Sequence, residues 1–230
     1  VETAQKKQTQ FIASASHELR TPLAVVRSGL ESVEKCSNEE ERNHFLHLMS
    51  EETVHMKRLI DDMLLLANSD ADTLTIKPEA CQPDLLLLDT YEKFETLAKK
   101  NGLHLILTLP EEILPDCFCD IHRTEQIFSI IVDNALCYTP SGGKVTLSCH
   151  AENEMLCFLF EDTGCGISEE KKSHIFERFY RADDAHTDRE HFGLGLCIAK
   201  EFTEKQNGNI QVVDAPISGS CFMVQLPCAL

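Results

Sequence analysis

Phe11-Ile12-Ala13-Ser14-Ala15-Ser16-His17-Glu18-Leu19-Arg20-Thr21-Pro22-Leu23, continued by Ala24–Val33, is the stretch that decides the N-terminal architecture. Apolar residues fall at Ile12, Ala15, Leu19, Leu23, Val26, Leu30 and Val33. The steps average about 3.5 residues, the period of a helical seam that packs against another helix. One helix is predicted over residues 3–35, roughly 50 Å long at the usual rise. Cys36-Ser37-Asn38 breaks it, with Ser37 or Asn38 as the cap of a second helix that opens on three glutamates. The second helix extends to Asn68 and repeats the period through Phe45, Met49, Glu52, Met56, Leu59, Met63 and Leu66. Two seams on one hairpin cannot be buried by that hairpin alone. A homodimeric four-helix bundle would bury them. Ser69-Asp70-Ala71-Asp72 reads as a linker, giving domains 1–70 and 71–230.

Beyond it the pattern changes. Short alternating strands are predicted at Leu74–Lys77, Leu103–Leu109, Lys144–His150, Met155–Glu161, Ile210–Val213 and Cys221–Leu226. Helices are predicted at Asp84–Lys100, Ile121–Tyr138, part of Ser168–Arg181, and Leu194–Gln206. Mixed elements of this kind predict an α/β sandwich, one sheet layer against one helix layer.

Composition narrows the function classes. The 230 residues carry a net charge of −17. A surface this acidic repels phosphate backbones, which excludes nucleic acid as a general partner. No apolar run is long enough to span a bilayer. The chain starts at Val1 inside a polar helical stretch, so the sequence reads as the soluble piece of a longer protein with its membrane segment elsewhere. Eleven cysteines are scattered from Cys36 to Cys228 with no C-x-x-C pair. They predict reduced thiols serving as small apolar residues, with neither a disulfide framework nor a zinc site.

Two constellations carry chemistry. His17 lies about 200° around the first helix from the seam residue Leu19, so its imidazole faces solvent as an available nucleophile. Glu18 is placed to hold one ring proton, as general base, while the other nitrogen attacks. Thr21 is one turn on and about 40° away, on the same face. The second constellation is Asp162-Thr163-Gly164-Cys165-Gly166-Ile167 after an apolar strand. A carboxylate there can accept from the amine of adenine, and the glycines admit close backbone approach. Upstream, Asn134 offers a neutral oxygen of the kind Mg²⁺ prefers, and Tyr138 can stack on a base. Downstream come Phe176, Arg178 and Arg181, then Gly193-Leu194-Gly195-Leu196 opening a helix toward phosphate. The glycine spacing is neither a Walker loop nor a Rossmann fingerprint.

The His17 segment resembles the phosphoacceptor box of bacterial two-component sensor histidine kinases, F-x-x-x-x-S-H-E-L-R-T-P-L, at every position. The second constellation is similar to the N, G1, F and G2 boxes of their Bergerat-type (GHKL) ATP-binding domain. The resemblance covers nearly the whole chain. It implies that Mg-ATP phosphorylates His17 and that the phosphoryl group passes to an aspartate on a response-regulator receiver domain. It implies Mg²⁺ on Asn134, adenine on Asp162, Arg181 near the γ-phosphate, and a lid over ATP at residues 182–192. It implies a role for Thr21 in dephosphorylating the regulator. It further implies that the chain is the cytoplasmic portion of a plasma-membrane sensor. Three positions depart from the pattern: Ile130 replaces the first Asn of the N box, Cys137 replaces a basic residue, and His191-Phe192 stand where the first Gly of G2 is expected. Those departures leave two alternatives open. One is a kinase-impaired module acting as phosphatase or dimeric scaffold. The other, a non-kinase ATPase, leaves the acceptor segment without a purpose.

Overall fold

The computed structural model describes residues 2–71, 73–181 and 192–229, the side chains of 2–8 and 10 excepted. The described residues divide into a helical unit, residues 2–74 together with 192–194, and an α/β unit, residues 75–181 and 195–229.

The helical unit is a hairpin of α1 (Glu2–Lys35) and α2 (Glu39–Asp70). Helix α1 continues unbroken through Pro22, whose ring is buried. The Asn38 side chain caps α2, accepting from the Glu40 N–H at 2.9 Å. Glu39, Glu40 and Glu41 then place negative charge at the positive end of the helix dipole. The helices cross closely at Gly29, where an added Cβ would lie 2.7 Å from Met49 Cγ. Met49, Leu59 and Leu66 fill the interior. Other seam residues stay outside it: Ile12, Leu23 and Leu30 are each more than half exposed. Glu52, the polar seam position, is half-buried with its carboxylate 3.9 Å from His55 Nδ1.

The α/β unit has strands β1 (Glu79–Cys81), β2 (His104–Thr108), β3 (Cys117–Cys119), β4 (Lys144–Glu152), β5 (Met155–Asp162), β6 (Asn209–Asp214) and β7 (Ser220–Pro227). Its helices are α3 (Pro83–Lys100), α4 (Ile121–Tyr138), the one-turn α5 (Glu169–Lys172) and α6 (Gly195–Lys205). The main sheet runs β2-β4-β5-β7-β6, parallel between β2 and β4 and antiparallel elsewhere. Helices α3, α4 and α6 pack on it. Phe128 of α4 meets Phe158 and Phe160 of β5 at 4.8 and 5.0 Å between ring centroids, at the centre of the core.

Leu74–Lys77 is not a strand. The Lys77 N–H is taken by Asp120 Oδ2 at 2.9 Å, and Pro78 has no N–H to offer. Pairing therefore begins only at Glu79, where β1 joins β3 in a separate two-stranded ladder absent from the sequence reading. Six of the eleven cysteines are buried, Cys149 and Cys157 among them on the paired strands β4 and β5.

Candidate functional site

In the helical unit, His17 and Thr21 are both exposed on α1 and Glu18 is half-buried. The Ser16 hydroxyl turns back onto the Ile12 carbonyl at 2.8 Å, which keeps it off the imidazole. Toward Lys35, Thr21, Ala24, Val25, Phe45 and Leu48 line a groove of about 590 Å³ between α1 and α2.

In the α/β unit the second site assembles around Asp162, the last residue of β5, which is 5% exposed. Its Oδ1 accepts from the Gly164 N–H at 2.8 Å. Burial pushes the Asp162 carboxyl above its ordinary value, opposed by backbone N–H bonds from Gly164 and Ser220. The glycines act by excluding side chains. A Cβ on Gly164 would lie 2.5 Å from the Tyr138 carbonyl oxygen and 2.8 Å from Asp162 Oδ1. The end of α4 and the β5 loop are therefore held in contact. Gly166, at φ +73°, takes a left-handed conformation that favours glycine.

Helix α4 presents the other groups. Asn134 donates from Nδ2 to the Ile130 carbonyl at 2.8 Å, which orients the amide and leaves its hard, neutral oxygen for a cation. That donor chemistry fits Mg²⁺. Tyr138 is half exposed. Ile130, in place of the expected Asn, packs its Cγ2 3.2 Å from where a Cβ on Gly195 would stand. The departure is thus absorbed by apolar contact with the start of α6. Phe176 meets Phe222 of β7 edge-on at 6.5 Å, and Lys200 Nζ lies 5.9 Å from its ring centre. Arg178 pairs with Glu201 of α6 at 3.7 Å.

Ile167 is half-buried and Arg181 is exposed. Gly193 is left-handed at φ +72°, Leu194 is buried, and Gly195-Leu196 begin α6. The expected lid, apart from Phe192, falls at 182–191, outside the described residues. The structure brings Asp162, Gly164 and Tyr138 together and places Asn134 one turn before Tyr138.

Gly219 and Ser220 belong to this site although the sequence reading passed over them. Gly219, at φ +91°, lies so close that a Cβ would overlap the Asp162 carbonyl and stand 2.7 Å from its Oδ1. The only signal for it was a glycine between two serines before the last strand.

Asp162, its flanking glycines and the end of α4 thus form one compact site. Residues 119–230 match the family described as histidine kinase-, DNA gyrase B- and HSP90-like ATPase, and residues 7–72 match the His Kinase A (phospho-acceptor) domain. The chain is 34% identical over 226 residues to sensor histidine kinase RppB of Synechocystis sp., covering 96% of this chain and 49% of RppB. It thus spans about half the length of that relative. The full-length ShkA structure in complex with AMPPNP superposes with TM-score 0.72 at 25% identity, over 96% of this chain and 46% of that one. Histidine kinase ThkA, solved in complex with response regulator protein TrrA, shares the fold, with TM-score 0.77 at 18% identity over 99% of this chain and 66% of that one. The chain belongs to the sensor histidine kinases, joining a phospho-acceptor hairpin to an ATP-binding domain.

Proposed function

We propose that the chain is the kinase core of a two-component sensor. Residues 1–70 form its dimerisation and phosphotransfer domain, and residues 71–230 form its catalytic domain. The observation that carries this reading is an exposed His17 in a phospho-acceptor hairpin, on the same chain as a buried, glycine-flanked Asp162. Asp162 accepts from the adenine amine, Tyr138 covers the base, and Arg181 and the N–H groups at Gly195 and Leu196 serve the phosphates. Asn134 would hold Mg²⁺, whose charge offsets that of the phosphates when it is bound. The unprotonated nitrogen of His17 attacks the γ-phosphorus. A P–N bond forms, the P–O bond to ADP breaks, and Glu18 holds the proton on the other ring nitrogen. The phosphoryl group then passes to an aspartate of a receiver domain, as the ThkA complex with TrrA suggests. Incubation with γ-labelled ATP and Mg²⁺ should give acid-labile label on the chain. Absence of such label would overturn the reading.

We propose further that the working form is a homodimer, with Ile12, Leu23 and Leu30 packing across the two-fold axis. Light scattering at micromolar concentration should report about twice 25.9 kDa. A monomer would refute the bundle. Among the described residues no helix is long and apolar enough to cross a membrane. An anchor would lie in sequence outside this chain, placing the kinase core on the cytoplasmic side of the plasma membrane.

Thr21 supports a second activity. It is exposed on the face of His17, where its hydroxyl can orient water toward a phospho-aspartate. Thr21→Ala should keep most His17 labelling and lose most phosphatase activity toward the cognate regulator. Equal loss of both would assign Thr21 a role in shaping the helix before Pro22.

A further inference from the structure

The β1–β3 ladder lies apart from the nucleotide site and carries three cysteines. Its register sets Cys81 opposite Cys117 and Glu79 opposite Cys119. Residues two apart on a strand share a face, so Cys117 and Cys119 point the same way, and Cys81 joins them from across the ladder. The three Sγ atoms all lie within 4.8 Å of one another, with Cys81 and Cys119 at 3.4 Å. Cys117 and Cys119 are fully buried, while Cys81 is half-buried at the edge.

That spacing suits a metal. Thiolates at ~2.3 Å from one ion stand roughly 3.8–4.0 Å apart in tetrahedral or trigonal geometry. The backbone around the trio is braced on three sides. The Cys117 backbone forms an antiparallel β-bridge with that of Cys228, Asp120 Oδ2 accepts from Lys77 N–H, and the Asp120 N–H donates to Gln206 Oε1 at 2.6 Å. Cys119 immediately precedes Asp120, the N-cap of the 18-residue α4, where the helix dipole favours a thiolate.

We propose that Cys81, Cys117 and Cys119 form a binding site for one thiophilic d¹⁰ metal ion, of the Zn²⁺ or Cu⁺ class. Three sulfurs, grouped with no His or carboxylate among the described residues, select soft ions over Mg²⁺ or Ca²⁺. The ion displaces the remaining thiol protons as its sulfur bonds form. The site opens α4, and Asn134 lies thirteen residues further along that helix, about 20 Å away at the usual rise. Metal bound here ties β1 to the helix that carries Asn134 and Tyr138 without entering the nucleotide pocket.

The test uses the 230-residue chain, reduced and freed of metal. Zn²⁺ and, separately, Cu⁺ are titrated against a competing chromophoric chelator. One equivalent should resist competition in the unmodified protein and in Cys36→Ser, whose cysteine lies in the helical hairpin. It should be lost in Cys81→Ala, which keeps the nucleotide affinity of the parent. The arm that shows the tighter equivalent identifies the ion. In the parent protein, the bound ion should also slow alkylation of Cys81, read by peptide mass spectrometry, and this does not depend on any variant folding. An unchanged equivalent in Cys81→Ala, no chelator-resistant equivalent with either ion, or unprotected Cys81 would each overturn the proposal.

Discussion

His17→Ala should take up no acid-labile phosphate from γ-labelled ATP, while its affinity for ATP stays that of the parent. The imidazole is exposed on α1, and its removal opens no cavity. Surface changes of this kind usually move stability by only about 0.5 kcal/mol. Loss of label would therefore report lost chemistry, not lost fold. The groups assigned to adenine, Asp162, Tyr138, Gly164 and Gly219, all belong to the α/β unit. A variant that binds ATP but carries no label separates acceptor from nucleotide site in one measurement. Residual acid-labile label would move the acceptor to another histidine.

Asp162→Asn should weaken adenine nucleotides and leave the fold intact. The carboxylate already accepts N–H groups from Gly164 and Ser220, and the base adds a third donor. An amide of the same shape turns an NH₂ toward one of those donors. Hydrogen bonds to a charged group are worth about 1.5–3 kcal/mol, so binding should fall roughly ten- to hundredfold. Stability without nucleotide should move the other way. Burial raises the Asp162 carboxyl above its ordinary 3.8, so folding favours the protonated form. That contribution is fully present below the ordinary value and is lost as pH rises through the folded one. The neutral Asn escapes the loss. Above this window the variant should melt higher than the parent, and in strong acid the difference should vanish. Calorimetry with and without ATP reads both effects. Unchanged ATP affinity would remove Asp162 from the adenine site.

The elements that were legible in the sequence were those whose signal is local. Helix α4 falls at Ile121–Tyr138 as expected, and Asn38, one of the two candidate residues, caps α2. The D-x-G-x-G run marked its own site because Gly164 has no room for a side chain and Gly166 takes a left-handed backbone. Contacts made at long range were not legible. β1 and β3 are three residues each, too short for alternation to register, and they exist because they pair with each other. The same distance hid the sulfur trio: Cys117-Phe118-Cys119 was visible, but only the ladder brings Cys81 to it. Gly219 was missed for a like reason, since its role depends on Asp162, far earlier in the chain. Glu52 was legible as an oddity in a seam, but its half-buried neighbour His55 was not.

β7 comes last in the chain yet lies between β5 and β6, and it carries Gly219 and Ser220 to the flank of Asp162. A polypeptide emerging in sequence order completes β5 early and must keep that edge open until the final strand slots in. Such distant pairing is slow to form and leaves an unsatisfied edge exposed meanwhile. The surroundings of Asp162 are thus complete only once β7 has paired. A nucleotide that requires the closed pocket holds the finished molecule against reopening, by mass action, in proportion to its concentration.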